Sequence, residues 1–264
     1  MTTTADNSAP DPLGPGRPGG WLHEFFYTRP HLPYLLPLMG FMLVVLPSAL
    51  GTMGGIDWAK LWFNYHPWVY AGKTLVGLGL LIWFWPYFSR IRWGHTGLGI
   101  MAGLLGLVLW VGVEYGAQAV SYHFTGKIRY PHLLGATWPE LYNPLVQLSG
   151  WGLWLFYVVR IAGPTLVVPF IEELFWRDFA LRAAVNPQRF ETVRIGTFSW
   201  VALGLTSLGF AIGHFQWPSG ILYGILMALL VIRTKRLGPA IIAHGVTNLT
   251  LGIYVIVTQD WQFW

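Results

Sequence analysis

The sequence predicts an all-α protein, a polytopic transmembrane bundle of about seven to eight helices around an intramembrane polar cavity. Hydrophobic residues make up 54% of the chain and charged residues only 10%, whereas a soluble domain carries about 25% charged residues. The apolar runs are mostly close to the ~20 residues that one membrane crossing needs. They do not alternate in polarity as barrel strands would, and lipid otherwise admits only helices.

Seven apolar segments form the predicted bundle: 31–50, 67–88, 95–115, 141–185, 195–215, 218–233 and 238–258. The fourth is too long for one straight crossing, because the 45 residues from 141 to 185 would make a helix of ~68 Å. Gly163-Pro164 and Pro169 are therefore the expected positions of a break. Residues 1–20 are polar and rich in Pro and Gly, which predicts a disordered tail. Residues 21–264 are then one multi-pass membrane domain.

Charge in the loops predicts the orientation of the chain. If 141–185 is a single crossing, three basic clusters share one side with the N-terminus. These clusters are Arg90 with Arg92, then Arg182 with Arg189 and Arg194, and finally Arg233 with Lys235 and Arg236. Basic loops mark the cytoplasmic side, so we expect a cell (inner) membrane protein with a cytoplasmic N-terminus and Trp264 outside. The net charge of +5 then comes from basic loops that set the orientation, and it does not indicate a nucleic-acid-binding surface. The chain contains no cysteine, which excludes disulfides and thiol catalysis.

The stretch FIEELFWRDF, residues 170–179, places charges inside an apolar segment. In a helix, Glu173 and Arg177 lie four residues apart on one face, and Asp178 has the same relation to Arg182. An acid placed four residues before a base favours an ion pair. The spacing therefore predicts two ion pairs on one helix.

Glu172 differs from these charges because its neighbours three and four residues on are Phe175 and Trp176. Ionisable groups inside a membrane are costly and usually functional. Two polar partners for Glu172 are predicted on other apolar helices, His214 and the pair formed by His244 and Asn248. Together they indicate one polar site.

Three short motifs carry a resemblance to a known family. EELFWR fits EExxxR at residues 172–177, FAIGH fits FxxxH at 210–214, and HGVTN fits HxxxN at 244–248. Their order and separation resemble the CPBP family of intramembrane proteases. Its eukaryotic members trim prenylated CaaX proteins, and its bacterial members include bacteriocin self-immunity proteins. The motifs fall within about 165–255, and the ending TQDWQFW resembles the bacterial CAAX-protease-related branch associated with exosortase systems.

The resemblance implies roles for these residues. Glu172 would be the general base, polarising a water molecule together with His214. His244 and Asn248 would hold the oxyanion or assist the base. Glu173, Arg177 and Phe210 would support the site, the last by packing beside His214.

The use of a metal stays open at the level of the sequence. Glu172, His214 and His244 form the two-His, one-Glu set of a catalytic zinc site. However, Asn is a poor zinc ligand, and the chain has no HExxH helix. We therefore favour a glutamate-type protease with no cofactor, with zinc as the alternative.

Two other functions remain as alternatives. A non-catalytic immunity or assembly protein would bind a peptide in the same cavity. A proton-coupled transporter would use Glu and His as a relay, but no pseudo-repeat is seen between the halves. The expected partners are the lipid bilayer and a membrane-associated protein or peptide substrate, with no nucleic acid. Whether that substrate is prenylated is not encoded in the sequence.

Overall fold

The structure is a computed structural model that describes residues 21–44, 52–53, 56–57, 66–135, 138 and 141–264. The predicted tail, residues 1–20, lies outside the described residues. Within the described ranges the chain forms nine α-helices. They are α1 (Trp21–Tyr27), α2 (Leu32–Leu43), α3 (His66–Phe84), α4 (Thr96–Thr125), α5 (Pro144–Gln147), α6 (Gly150–Ala183), α7 (Trp200–Ile212), α8 (Trp217–Thr234) and α9 (Gly238–Thr258).

Three short 3₁₀ turns and one small hairpin complete the described structure. The 3₁₀ turns are Trp85–Tyr87, Phe190–Thr192 and Trp261–Phe263. Strands β1 (Thr52–Met53) and β2 (Ile56–Asp57) pair antiparallel between α2 and α3. This hairpin was not predicted, but two strands of two residues leave the fold an all-α bundle.

Five helices are long and apolar enough to cross a membrane by length and composition: α3, α4, α6, α8 and α9. The other two predicted segments are present as shorter apolar helices, with 12 residues in α2 and 13 in α7. The prediction of a multi-pass helical membrane protein is therefore confirmed.

Helix α6 contradicts the predicted break. It runs without interruption over the 34 residues Gly150–Ala183, and Gly163–Val167 and Leu174–Ala180 are π-helical. A π turn holds an extra residue, and this reduces the clash between a proline ring and the preceding turn. Pro164 is thus accommodated inside the helix, and Pro169 lies in the α-helical turn that follows.

Two other predicted boundaries differ from the structure. Helix α4 continues to Thr125, ten residues beyond the expected end at 115. The polar residues in this last part of the helix are buried against other segments of the chain, as described below. Helix α7 begins at Trp200 rather than near Arg194. His214 is therefore only ~21 Å from the start of α7. A helix that began at residue 194 would have placed His214 farther from the helix start.

Glycines let the helices that form the site approach closely. A Cβ on Gly103 of α4 would lie 2.6 Å from the carbonyl oxygen of Ala243 on α9. A Cβ on Gly245 would lie 3.0 Å from the carbonyl oxygen of Thr165 on α6. Small residues at helix crossings are typical of membrane bundles. Here they hold the His244 turn of α9 against both α4 and α6.

The three predicted basic clusters meet at one end of the bundle, which we call the basic end. Arg236 donates a hydrogen bond to the carbonyl of Trp93 at 2.6 Å, and Lys235 donates to the carbonyl of Gly196 at 2.6 Å. Arg182 donates to the carbonyl of Val193 at 3.3 Å. The prediction that these loops share one side is confirmed, whereas the identity of that side stays a prediction.

Candidate active site

Glu173 forms the buried centre of the site. Its side chain is fully buried, and its Oε1 accepts hydrogen bonds from Arg177 Nη1 at 3.0 Å and from His244 Nδ1 at 2.8 Å. Arg177 also lies over the Phe210 ring, with Cζ 4.8 Å from the centroid. The predicted Glu173–Arg177 pair is therefore present, and it extends to the motif on α9.

His244 is oriented by this contact. Its Nδ1 donates to the Glu173 carboxylate, which leaves Nε2 as the ring nitrogen that faces away from Glu173. That nitrogen lies 4.0 Å from Glu172 Oε2. The Tyr223 ring packs edge-on against His244 with 5.6 Å between centroids. Glu173 thus fixes the ring so that His244 Nε2 is directed at Glu172.

Glu172 is the least satisfied of the charged groups on α6. Its side chain is 13% exposed, and its Oε2 is buried with no hydrogen-bond partner in the described part of the chain. A buried carboxylate oxygen without a partner is costly to maintain. In an active site it is the kind of group that a water molecule or a substrate would satisfy.

Asn248 lies one turn along α9 from His244. Its Nδ2 donates to the carbonyl oxygen of Pro164 at 2.8 Å, in the first π-helical stretch of α6. An amide nitrogen carries two hydrogens, so a second donor is available. The π turn therefore supplies the acceptor that fixes the amide.

His214 lies in the same region but does not contact Glu172. Its ring stacks on Phe210 with 4.7 Å between centroids, and Phe210 in turn packs edge-on against His244 at 6.4 Å. Nδ1 of His214 lies 2.8 Å from the carbonyl oxygen of Phe210. The expected packing of Phe210 beside His214 is present. The imidazole nearest to Glu172, however, belongs to His244.

The second predicted ion pair is structural. Arg182 pairs with the fully buried Asp178, and Ser89 donates a hydrogen bond to Asp178 at 3.3 Å. The Tyr34 hydroxyl lies 3.2 Å from the Ser89 hydroxyl. This network ties α2 and the loop after α3 to α6 at the basic end.

In the described part of the chain, the three zinc candidates Glu172, His214 and His244 do not form a metal-binding cluster, and zinc stays an untested alternative. Zinc bonds to N and O are ~2.0–2.2 Å, so two tetrahedral ligands lie ~3.4 Å apart. The 4.0 Å between His244 Nε2 and Glu172 Oε2 would instead correspond to an angle of about 145° at a metal with bonds of ~2.1 Å. Among the described residues, no group of three or more His, Asp or Glu side chains is placed to hold a metal ion.

A second polar cluster, which the sequence analysis missed, lies towards the end opposite the basic end. Glu114 is fully buried and accepts hydrogen bonds from Tyr130 and from Gln118, the latter at 2.7 Å. Gln118 also donates to the side chain of Gln262 at 2.6 Å, and the Gln262 carbonyl accepts from Gln216 at 2.7 Å. Gln216 is two residues from His214, so the C-terminal turn anchors the His214 loop. The four-residue spacing of Glu114 and Gln118 was the one feature of the sequence that could have predicted this cluster.

Comparison with known families supplies independent evidence. Residues 145–250 match the family described as type II CAAX prenyl endopeptidase Rce1-like. The match supports the CAAX protease family for this region of the chain. Comparison with curated proteins and with solved structures finds no match.

The matched region contains the three motifs at 172–177, 210–214 and 244–248. The recognition made from these motifs is therefore confirmed at the level of the family. Together with the apolar helices, the match supports an intramembrane protease in general.

Proposed function

We propose that the chain is a glutamate-type intramembrane endopeptidase in which Glu172 activates the water that attacks a peptide bond. The observation that carries this proposal is the 4.0 Å gap between Glu172 Oε2 and His244 Nε2. Hydrogen bonds of ~2.8 Å to each atom fit a single water molecule in that gap. In the proposed reaction His244 is neutral, so both groups accept hydrogen bonds from that water.

Each side chain has a separate part in the proposed reaction. Glu172 removes a proton from the water as the oxygen attacks the carbonyl carbon, and later delivers it to the leaving amine. His244 orients the water through Nε2. Asn248 donates its second N–H to the oxyanion. Glu173 and Arg177 act as positioning residues because they hold His244.

His214 makes no direct contact with Glu172 in the described structure. It is separated from His244 by the ring of Phe210, so its contribution would be to the part of the substrate that lies against Phe210.

The family's description supplies the proposed substrate class. It names a CAAX prenyl endopeptidase, and by analogy the substrate of this chain is a membrane-associated protein or peptide cut near its C-terminus. A bacterial inner membrane with a cytoplasmic N-terminus is the proposed location. No cofactor is needed for the proposed chemistry.

A comparison of protein termini in cells tests this proposal without knowledge of the substrate. Cells that carry the wild-type chain should contain new C-termini that are missing from cells carrying Glu172→Gln at equal abundance. Identical termini in the two cell populations would instead favour a peptide-binding immunity or assembly protein.

A further inference from the structure

One threonine of α6, Thr165, differs from other threonines inside the helices. Its hydroxyl oxygen is buried and has no hydrogen-bond partner in the part of the chain that the structure describes. Seven other helical threonines donate their hydroxyl hydrogen to the carbonyl four residues earlier, as is common for this residue. They are Thr74, Thr125, Thr206, Thr234, Thr247, Thr250 and Thr258. Thr165 is therefore buried in a helix without the local bond that these threonines make.

The π-helical stretch Gly163–Val167 explains this difference. In an α-helix each N–H bonds to the carbonyl four residues back, whereas in a π turn it bonds to the carbonyl five residues back. Thr165 lies in the middle of this stretch, so the carbonyl that its hydroxyl would ordinarily reach is displaced. A buried hydroxyl without a partner is costly, and π turns inside α-helices frequently occur at functional sites. The local geometry thus leaves one hydrogen-bond donor for a group that enters the bundle.

Thr165 lies against the turn of α9 that carries the HxxxN motif. Its carbonyl oxygen would be 3.0 Å from a Cβ on Gly245, the residue after His244. The carbonyl of the preceding residue, Pro164, accepts the hydrogen bond from Asn248 at 2.8 Å. Two contacts at neighbouring positions of α6 therefore place Thr165 beside the residues between His244 and Asn248.

Glu172 lies on the same side of α6 as Thr165. The two residues are seven apart, a spacing that shares one helix face, and both approach α9. Thr165 does so through Gly245, and Glu172 does so through His244. Leu166, by contrast, is 64% exposed on the outer surface of this helix. The buried hydroxyl, the amide that Pro164 holds and the proposed catalytic carboxylate are therefore arranged along one contact between α6 and α9.

We propose that the Thr165 hydroxyl donates a hydrogen bond to the backbone of the substrate, next to the group that Asn248 binds. This inference rests on the proposed protease function and adds a substrate-binding residue to it. Lipid offers no donor to the carbonyl groups of an extended peptide inside the membrane, so the protein must supply one. A threonine hydroxyl is such a donor. Binding of the substrate would then satisfy the hydroxyl that the π turn leaves unpaired.

Removal of the hydroxyl with little change of shape tests this inference on the purified full chain. The probe is a synthetic peptide that spans one cleavage site found by the comparison of protein termini described above. In Thr165→Val, kcat/KM for this peptide should fall at least ~10-fold, as expected for the loss of one hydrogen bond. Tm should stay equal or rise, because the variant removes an unpartnered buried hydroxyl. Thr165→Ser keeps the hydroxyl and should cleave within a few fold of the wild type.

The matched control is Thr250→Val on α9. Its hydroxyl already donates to the carbonyl of Val246 at 2.8 Å, so this variant should keep the wild-type kcat/KM and lose some stability instead. Opposite effects on Tm and kcat/KM in Thr165→Val separate a substrate-binding hydroxyl from a structural one.

The remaining outcomes separate this inference from the protease assignment. Wild-type kcat/KM in Thr165→Val, with cleavage abolished by Glu172→Gln, would overturn the substrate bond and leave the protease intact. A lower Tm in Thr165→Val together with slow cleavage by Thr165→Ser would also overturn it, since packing of the side chain would then explain the loss. Identical protein termini in cells with the wild-type chain and with Glu172→Gln would overturn the protease function and this inference with it.

Discussion

Replacement of Glu173 by glutamine tests the buried network that orients the site. Glu173 accepts from Arg177 at 3.0 Å and from His244 at 2.8 Å, and it is fully buried. The substitution keeps the size of the side chain but leaves the guanidinium without its counter-charge. Removal of one partner of a buried ion pair costs ~3–5 kcal/mol.

The expected loss is at the lower end of that range. Glutamine retains a carbonyl oxygen that can accept both hydrogen bonds, and Arg177 keeps its contact with the Phe210 ring at 4.8 Å. We therefore expect a loss of about 3 kcal/mol in the free energy of unfolding. At ~2–4 °C per kcal/mol for chains approaching this size, Tm should fall by about 6–12 °C.

The matched control is Glu172→Gln, one residue away. Its Oε2 has no hydrogen-bond partner among the described residues, so the loss of its charge should change the free energy of unfolding by less than ~1 kcal/mol. Thermal unfolding of purified protein in one detergent, followed by intrinsic tryptophan fluorescence, measures both variants. A Glu173→Gln protein as stable as the wild type, or a Glu172→Gln protein that loses equally much, would refute the assignment of these two roles.

Three further predictions follow from the charges and the site. Cysteines introduced singly at Arg189 and Lys235 should resist external labelling in intact cells, while one at Trp264 should react; external labelling at 189 or 235 would contradict a cytoplasmic basic end. Asn248→Ala should lower kcat by ~10²–10³ with little change in KM, as expected for the loss of an oxyanion donor, and an unchanged kcat would remove that role. Prolonged chelation should leave activity intact, whereas a loss that added zinc restores would establish a metalloprotease.

Local helical spacing accounts for what the sequence predicted correctly within the site. The pairs Glu173–Arg177 and Asp178–Arg182 are four residues apart, so each is determined by a single helical turn. The basic clusters could be placed on one side because each crossing reverses the chain. The positions of glycine and proline predicted the helix boundaries less well, since a π-helical stretch accommodates Pro164 within α6.

The parts that were missed depend on partners distant in sequence. Gln118 remains inside the bundle because Gln262, 144 residues later, accepts its hydrogen bond. Lys73 and Arg160 belong to different helices, yet both lie over the Tyr70 ring. No periodicity within one segment reports such contacts, since they arise only when separate helices pack together.

The central claim is that Glu172 activates water for peptide hydrolysis, and cleavage by matched amounts of folded enzyme tests it most directly. Wild type and Glu172→Gln should be purified in the same detergent, shown to have the same Tm, and given one peptide that the wild type cleaves. We expect the variant to cleave at least ~10²-fold more slowly, the usual contribution of a general base. Cleavage by the variant at a rate within a few fold of wild type would contradict the claim.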